Sequence, residues 1–208
     1  MTAGPSGGPG RIFLLSPADS SGKRARLLED SDVDLARRLR ARSGAPLGEV
    51  FSFVSSLYFR GKLAYGRAFA RPPAGVAGVH VITPCDGLLP PETEVRLADL
   101  RRFAGVPIDP DEGRYRRPLL RDLAALAAAS PSAEVVLLGS IASAKYVDLL
   151  RSVLAGRLLF PVEFVGRGDM SRGGLMLRCV ASAEELRYLP IDGAVRRGPR
   201  PPRLRPLV

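Results

Sequence analysis

Apolar positions along the chain fall into two rhythms. Arg11–Leu15 is a short apolar run that predicts a first strand, and Glu134–Leu138 is a near-continuous apolar run, the pattern of a strand buried in a parallel sheet. Leu47, Val50, Phe51, Val54, Leu57 and Tyr58 recur at three- and four-residue spacing, which predicts a helix opening at Pro46–Leu47 and running to Phe69. Gly61 and Gly66 are its weak points. Leu119, Leu120, Leu123 and Leu126 give the same stripe to a helix over Tyr115–Ala129. Further helices are predicted over 32–42 and 143–154.

Strands are predicted at Val76–Thr83 and Glu94–Leu97, and Val106–Ile108 reads as extended. Leu158–Val165 and Leu175–Val180 read as two more strands, with Gly166–Gly174 as the hairpin joining them. Pro84-Cys85-Asp86-Gly87 is a turn. Strands alternating with helices predict an α/β fold: a single three-layer domain with a mostly parallel central sheet. Residues 1–10 are Gly, Pro, Ser and Ala rich and read as a disordered tail. Residues 11–194 form the domain, and 195–208 form a second tail.

Composition sharpens this. The chain has 208 residues, enough to bury a core without staples. Lys plus Arg number 31 against 21 Asp plus Glu, for a net charge of +10. That excess attracts polyanions, nucleic acid above all. It peaks in the last segment, where Arg196, Arg197, Arg200, Arg203 and Arg205 stand among prolines with no acid. No apolar run reaches the ~20 residues of a membrane span. The first ten residues lack the basic start and apolar stretch of a secretory signal. With two widely spaced cysteines, this predicts a reducing cytoplasmic setting and free, buried thiols.

Absences exclude several chemistries. Asn, Gln and Trp do not occur, so adenine is not read by a side-chain amide. Cys85, Cys179 and His80 are too few and too scattered for a zinc site, although a carboxylate-only magnesium site stays open. His80 lies in an apolar strand segment, which suits a structural role better than a catalytic triad. No cofactor is expected.

Candidate chemistry gathers in four loops. Ser16–Arg24 follows a strand, and its Ser16 and Lys23 suit an anion, unless the loop is a solvated turn. It is not a Walker A loop, since Pro17 stands where a glycine is required. Asp86 and Glu92 are candidate acids or bases, with Asp86 also a good turn former. Gly139 to Lys145, with Ser140, joins a strand to a helix through small residues. This allows either a bound anion or tight helix–sheet packing. Arg167 sits in the Gly-rich segment and suits phosphate, unless that segment is an exposed hairpin tip.

Only three lysines survive among the arginines: Lys23, Lys62 and Lys145. Unless their survival is chance, they are kept for chemistry, since unlike Arg, Lys can lose its proton and act as a base or nucleophile. Lys62 shares a helix face with Tyr58 and Tyr65, where stacking and pairing with a nucleotide are feasible. The expected pocket therefore joins Ser16, Lys23, Tyr58, Lys62 and Asp86. Lys23 binds an anion in it, and Asp86 is the best acid or base.

Several of these segments resemble known families. Leu14-Leu15-Ser16-Pro17-Ala18-Asp19 with Gly22-Lys23-Arg24 resembles the opening of YaaA-type peroxide-stress proteins, and Leu57-Tyr58-Phe59-Arg60 resembles their Tyr-containing segment. Val81-Ile82-Thr83 to Pro90 resembles their strand and Tyr-Gly-Leu-Leu-Pro element, with Cys85-Asp86 in place of the usual pair. Gly87 to Glu92 and Val106-Pro107-Ile108 are similar to the core domain of archaeosine synthase, with Phe103-Ala104-Gly105 replacing a Tyr-Asp pair. Val136-Leu137-Leu138-Gly139 is similar to a late uracil-DNA glycosylase strand.

The resemblance spans about residues 11–150. It implies a uracil-DNA-glycosylase-like fold and either DNA binding or chemistry on a modified base. Lacking Asn, the chain cannot carry the amide that reads uracil in those glycosylases. The function expected is thus a nucleic-acid-associated protein acting on a nucleobase or nucleoside in DNA or tRNA. The ligand set is Ser16, Tyr58, Arg60, Glu92, Ser140, Lys145 and Arg167. Two rivals are an enzyme for a free nucleotide or phosphorylated metabolite, and a non-catalytic subunit whose basic tail docks on an acidic protein partner.

Overall fold

The computed structural model describes residues 9–142, 144–202 and 204. The chain begins with β1 (Arg11–Leu15), α1 (Lys23–Asp30), α2 (Asp34–Arg40), β2 (Ala45–Pro46) and α3 (Leu47–Phe69). It continues through β3 (Val79–Ile82), β4 (Leu88–Leu89), β5 (Glu94–Val95), α4 (Leu97–Ala104) and α5 (Gly113–Ala129). It closes with β6 (Glu134–Leu138), α6 (Ala144–Leu154), β7 (Leu158–Pro161), α7 (Asp169–Ser182) and β8 (Tyr188–Pro190).

The main sheet has the order β4-β3-β1-β6-β7-β8. Its four inner strands are parallel, and the two edges are antiparallel. Side chains alternate across the pleat and feed two cores. Phe13, Leu15, Val136 and Leu138 pack with α1, α2, α3 and α7 on one face. Ile12, Leu14, Val135 and Leu137 pack with α5 and α6 on the other. This is the expected three-layer α/β domain with a mostly parallel sheet.

Central β1 lies between β3 and β6. The chain leaves β1 for α1 on one face, and it leaves β6 for α6 on the opposite face. The two loops diverge and open a crevice at the strand ends, where open α/β sheets hold their ligands.

Three expectations need correcting. The predicted strand over Leu175–Val180 and the part of the hairpin before it from Asp169 on are one helix, α7. Its buried residues Arg172, Gly173, Met176 and Cys179 follow helical spacing. Gly173 does not break this helix but lets it touch α3: a Cβ there would lie 2.6 Å from the Leu57 carbonyl oxygen, and one on Gly61 would lie 2.6 Å from that of Gly173. Second, α3 is interrupted not at its glycines but at Ser56, whose φ of 50° and ψ of −128° leave the helical region. Third, Gly10, read as part of the tail, is tied to the sheet just before β1: its carbonyl accepts the Glu134 N–H at 2.8 Å. The remaining tail reading, on residues 1–8, lies outside the described residues. Helices α1 and α4 and strands β4 and β8 were not expected; each is short and takes its place from packing.

His80 lies in β3, its Nε2 2.9 Å from the Ala77 carbonyl oxygen, and burial lowers its pKa. Both cysteines are free, Cys179 buried and Cys85 half-buried.

Candidate functional site

A cavity of about 660 Å³ opens at the C-terminal ends of the parallel strands. The loop after β1 supplies Ser16 to Ser21, and the loop after β6 supplies Ser140. Ser55 and Tyr58 come from α3, Lys145 and Tyr146 from α6, and Asp169 from the start of α7. Phe103 to Ile108, with Pro84, form an apolar wall. Its size falls within the ~300–1,000 Å³ common for small-molecule sites.

Lys62 stands behind this cavity and is 0% exposed. Its Nζ donates to the Ser16 carbonyl oxygen at 2.6 Å and lies 2.9 Å from Ser16 Oγ. It also sits 4.4 Å from the centre of the Tyr58 ring and 4.9 Å from that of Phe59. No carboxylate pairs with it among the described residues. Desolvation therefore dominates and lowers its pKa to about 7, while the nearby charges of Asp169 and Arg172 act in opposite directions.

Ser16 is held at this point by the sheet. Its N–H donates to the Leu138 carbonyl at 3.2 Å. Gly139 makes room for it: a Cβ there would lie 2.9 Å from Ser16 Cβ and 3.0 Å from the Tyr146 hydroxyl. Tyr146 in turn donates to the Ser140 carbonyl and accepts the Ser140 N–H, both at 3.0 Å. Burial raises its pKa, opposed by the Ser140 backbone and the Ser16 hydroxyl.

Two hydroxyls on lining residues, those of Tyr58 and Ser20, are buried without a hydrogen bond of ordinary geometry, the Arg172 guanidinium being the polar neighbour of the Tyr58 hydroxyl. Tyr58 is 6% exposed, and burial pushes its phenol far above the ordinary value, so it remains a proton donor. Buried polar atoms are rarely left unpaired, and those that are often mark a missing ligand. Asp19, by contrast, is engaged within its loop. It accepts from the Ser21 hydroxyl and N–H at 2.6 and 3.0 Å, which lowers its pKa.

The structure thus brings together Ser16, Tyr58, Lys62, Ser140 and Lys145. It separates the others. Asp86 forms a two-pronged ion pair with Arg102, at 2.6 and 2.8 Å, next to Cys85 and outside the main cavity. Lys23 is exposed at the start of α1 and does not line the cavity. The expected pairing of Lys23 with Asp86 in this pocket is therefore wrong, because the turn at 84–87 directs Asp86 toward α4.

Arg60 points to solvent, and Glu92 pairs with Arg67 at 2.8 Å. Arg167 donates to the carbonyls of Glu163 and Pro202 and to the Ser171 hydroxyl, so it ties the turn to the C-terminal segment. Arg196 lies 3.7 Å from Asp148. Arg197 and Arg200 are exposed. Arg203 and Arg205 lie outside the described residues.

Sequence reasoning missed Tyr146, Ser20, Asp169 and the 103–108 wall. Ser20 and Asp169 carried a signal, since each stands in a loop already singled out, and Tyr146 directly follows a third such loop. Tyr65, expected beside Lys62, turns away to β8. It meets the Tyr188 hydroxyl and accepts the Leu186 N–H at 2.8 Å.

Comparison of the chain with protein-family models, with curated proteins and with solved structures finds no match.

Proposed function

We propose that this is a nucleic-acid-associated protein of uracil-DNA-glycosylase-like fold whose strand-end cavity takes a nucleobase or nucleoside. The observation that carries the reading is the pair of buried hydroxyls, without hydrogen bonds of ordinary geometry, on Tyr58 and Ser20, two residues that line a cavity of about 660 Å³. A base offers polar edges to such hydroxyls and an apolar face to a wall such as Phe103–Ile108. The net charge of +10 supports attraction to a polyanion carrying that base.

The test is binding of free nucleosides, and of labelled single-stranded DNA, duplex DNA and tRNA across a salt series, to the full chain and to Tyr58→Phe. The expected result is binding at physiological salt that Tyr58→Phe weakens by up to about tenfold, the value of one hydrogen bond. The melting temperature should change little, because the lost hydroxyl makes no hydrogen bond of ordinary geometry and has only the Arg172 guanidinium near it. Polymer binding that vanishes above ~0.2 M salt and ignores Tyr58, with no nucleoside bound, would be plain polyelectrolyte attraction and would sink the reading.

A free nucleotide is the competing ligand, favoured by Lys145 on the cavity wall in the first turn of α6. A nucleoside monophosphate that binds more tightly than its nucleoside, and loses that advantage in Lys145→Met, would shift the conclusion to it.

A further inference from the structure

We propose that Ser16 is a nucleophile activated by Lys62, and that the cavity carries out acyl transfer on an ester or amide. This concerns the same cavity, but it does not require the ligand to be a nucleoside.

The argument begins with placement. Ser16 lines the cavity at the end of the central strand, and its Oγ lies 2.9 Å from Lys62 Nζ. A nucleophilic hydroxyl needs a base within this reach, and Ser–Lys pairs are one known solution. Beyond Oγ, Lys62 Nζ meets only the Ser16 carbonyl and the faces of Tyr58 and Phe59 among the described residues. It forms no ion pair among the described residues and is wholly buried. A lysine retained only for structure would be costly there, since an apolar side chain of similar length would fill the space without desolvating a charge.

The groups facing Lys62 come from every packed element. Tyr58 and Phe59 lie on its own helix, Ser16 is at the end of β1, and Asp169 and Arg172 approach from α7. Asp169 and Arg172 oppose each other, so burial decides, and a neutral amine is accessible near pH 7. In that form Nζ keeps its N–H bond to the Ser16 carbonyl and turns its lone pair to Oγ. Two positioning features hold the pair. Gly139 admits the Ser16 side chain, and the Gly61–Gly173 contact brings α7 against α3.

The step balances without a co-reactant other than water. The Oγ proton passes to Nζ as Oγ bonds to the acyl carbon. The tetrahedral adduct collapses, and the leaving alcohol or amine takes the proton from Nζ. Water then attacks the acyl-Ser16 ester and gives its proton to Nζ, and the released Oγ recovers that proton. The Tyr58 hydroxyl, which makes no hydrogen bond of ordinary geometry and has the Arg172 guanidinium beside it, is the donor available for the charge on the carbonyl oxygen.

The experiment treats the full chain with a fluorophosphonate probe and, separately, with p-nitrophenyl acetate. It reads intact mass, the labelled peptide and the release of p-nitrophenol from pH 6 to 9. A single adduct on Ser16 is expected, with a rate that rises through a midpoint near pH 7. Ser16→Ala should not label. Lys62→Met should label at least a hundredfold more slowly while still melting cooperatively, the usual scale of general-base loss.

An adduct elsewhere, no adduct in the wild type, or Lys62→Met labelling at the wild-type rate would overturn the proposal. Should Lys62→Met not fold, the wild-type pH profile decides: a rate flat from pH 6 to 9 counts against Lys62 as the base. Nucleoside binding is read on the same samples. Labelling without it keeps this inference and removes the nucleobase reading; binding without labelling does the reverse.

Discussion

At the scale of single residues, Lys62 is the unusual investment. A lysine whose pKa drops from 10.5 to about 7 on burial makes stability depend on pH. Between those values the unfolded chain binds the proton and the folded chain does not, so stability rises with pH. The effect is complete above the unfolded value and is lost as pH falls through 7. The buried phenols and thiols act oppositely above about pH 9, since burial raises them. The clean window is therefore pH 7 to 9. Urea midpoints of the wild type should rise there relative to Lys62→Met, and a constant difference would mean that Lys62 stays charged in the fold. The scarcity of lysine singled out Lys62 in the sequence, and the structure places it 2.9 Å from Ser16 Oγ. That it meets Ser16 rather than an exposed nucleotide was not legible in the sequence, because the partner lies 46 positions away.

At the scale of elements, the decisive contact is between α3 and α7. Gly61 and Gly173 let backbone touch backbone, and this brings Asp169 and Arg172 near Tyr58 and Lys62. Gly61→Ala would drive a methyl to 2.6 Å from the Gly173 carbonyl oxygen. It should cost about 1–3 kcal/mol, as overpacking does, and should also weaken ligand binding by displacing Tyr58. Gly156→Ala, with nothing within 4 Å, should stay within ~0.5 kcal/mol of the wild type. Denaturant midpoints of the two variants give the comparison. The same glycines explain why α7 was misread: in one dimension a Gly-Gly pair looks like a turn, and only a partner helix shows that it is a crossing point. Helix α3 was legible because its stripe is long and regular. The break at Ser56 was not, since no local residue type demands it.

For the whole molecule, charge and topology combine. The C-terminal segment does not stand free of the domain. A Cβ on Gly166 would collide with the Pro199 carbonyl, Gly198 abuts Val165, and Leu204 lies against Gly174. With Arg196 engaged by Asp148, the exposed charge in its described part rests on Arg197 and Arg200. A chain ending at Ala194 should therefore reduce the salt slope of DNA binding by ~0.9 for each arginine that meets a phosphate. The loss should be smaller than five free arginines would give. A slope unchanged by truncation would put the contact surface on the domain itself.

The sequence alone determined the layer architecture, because a continuous apolar run can be satisfied only between two helical layers and an apolar stripe only against a sheet or another helix. It also singled out the loops that carry ligands in such folds, since small and polar residues at strand ends are a local signal. The tertiary structure alone decided which of those loops meet. Strand order sets β1 between β3 and β6. That order brings Ser16, Tyr58, Lys62 and Tyr146 to one crevice and sends Asp86 to Arg102. Contacts between residues far apart in the chain depend on strand order and helix crossing, and neither leaves a mark in the local pattern of polar and apolar positions.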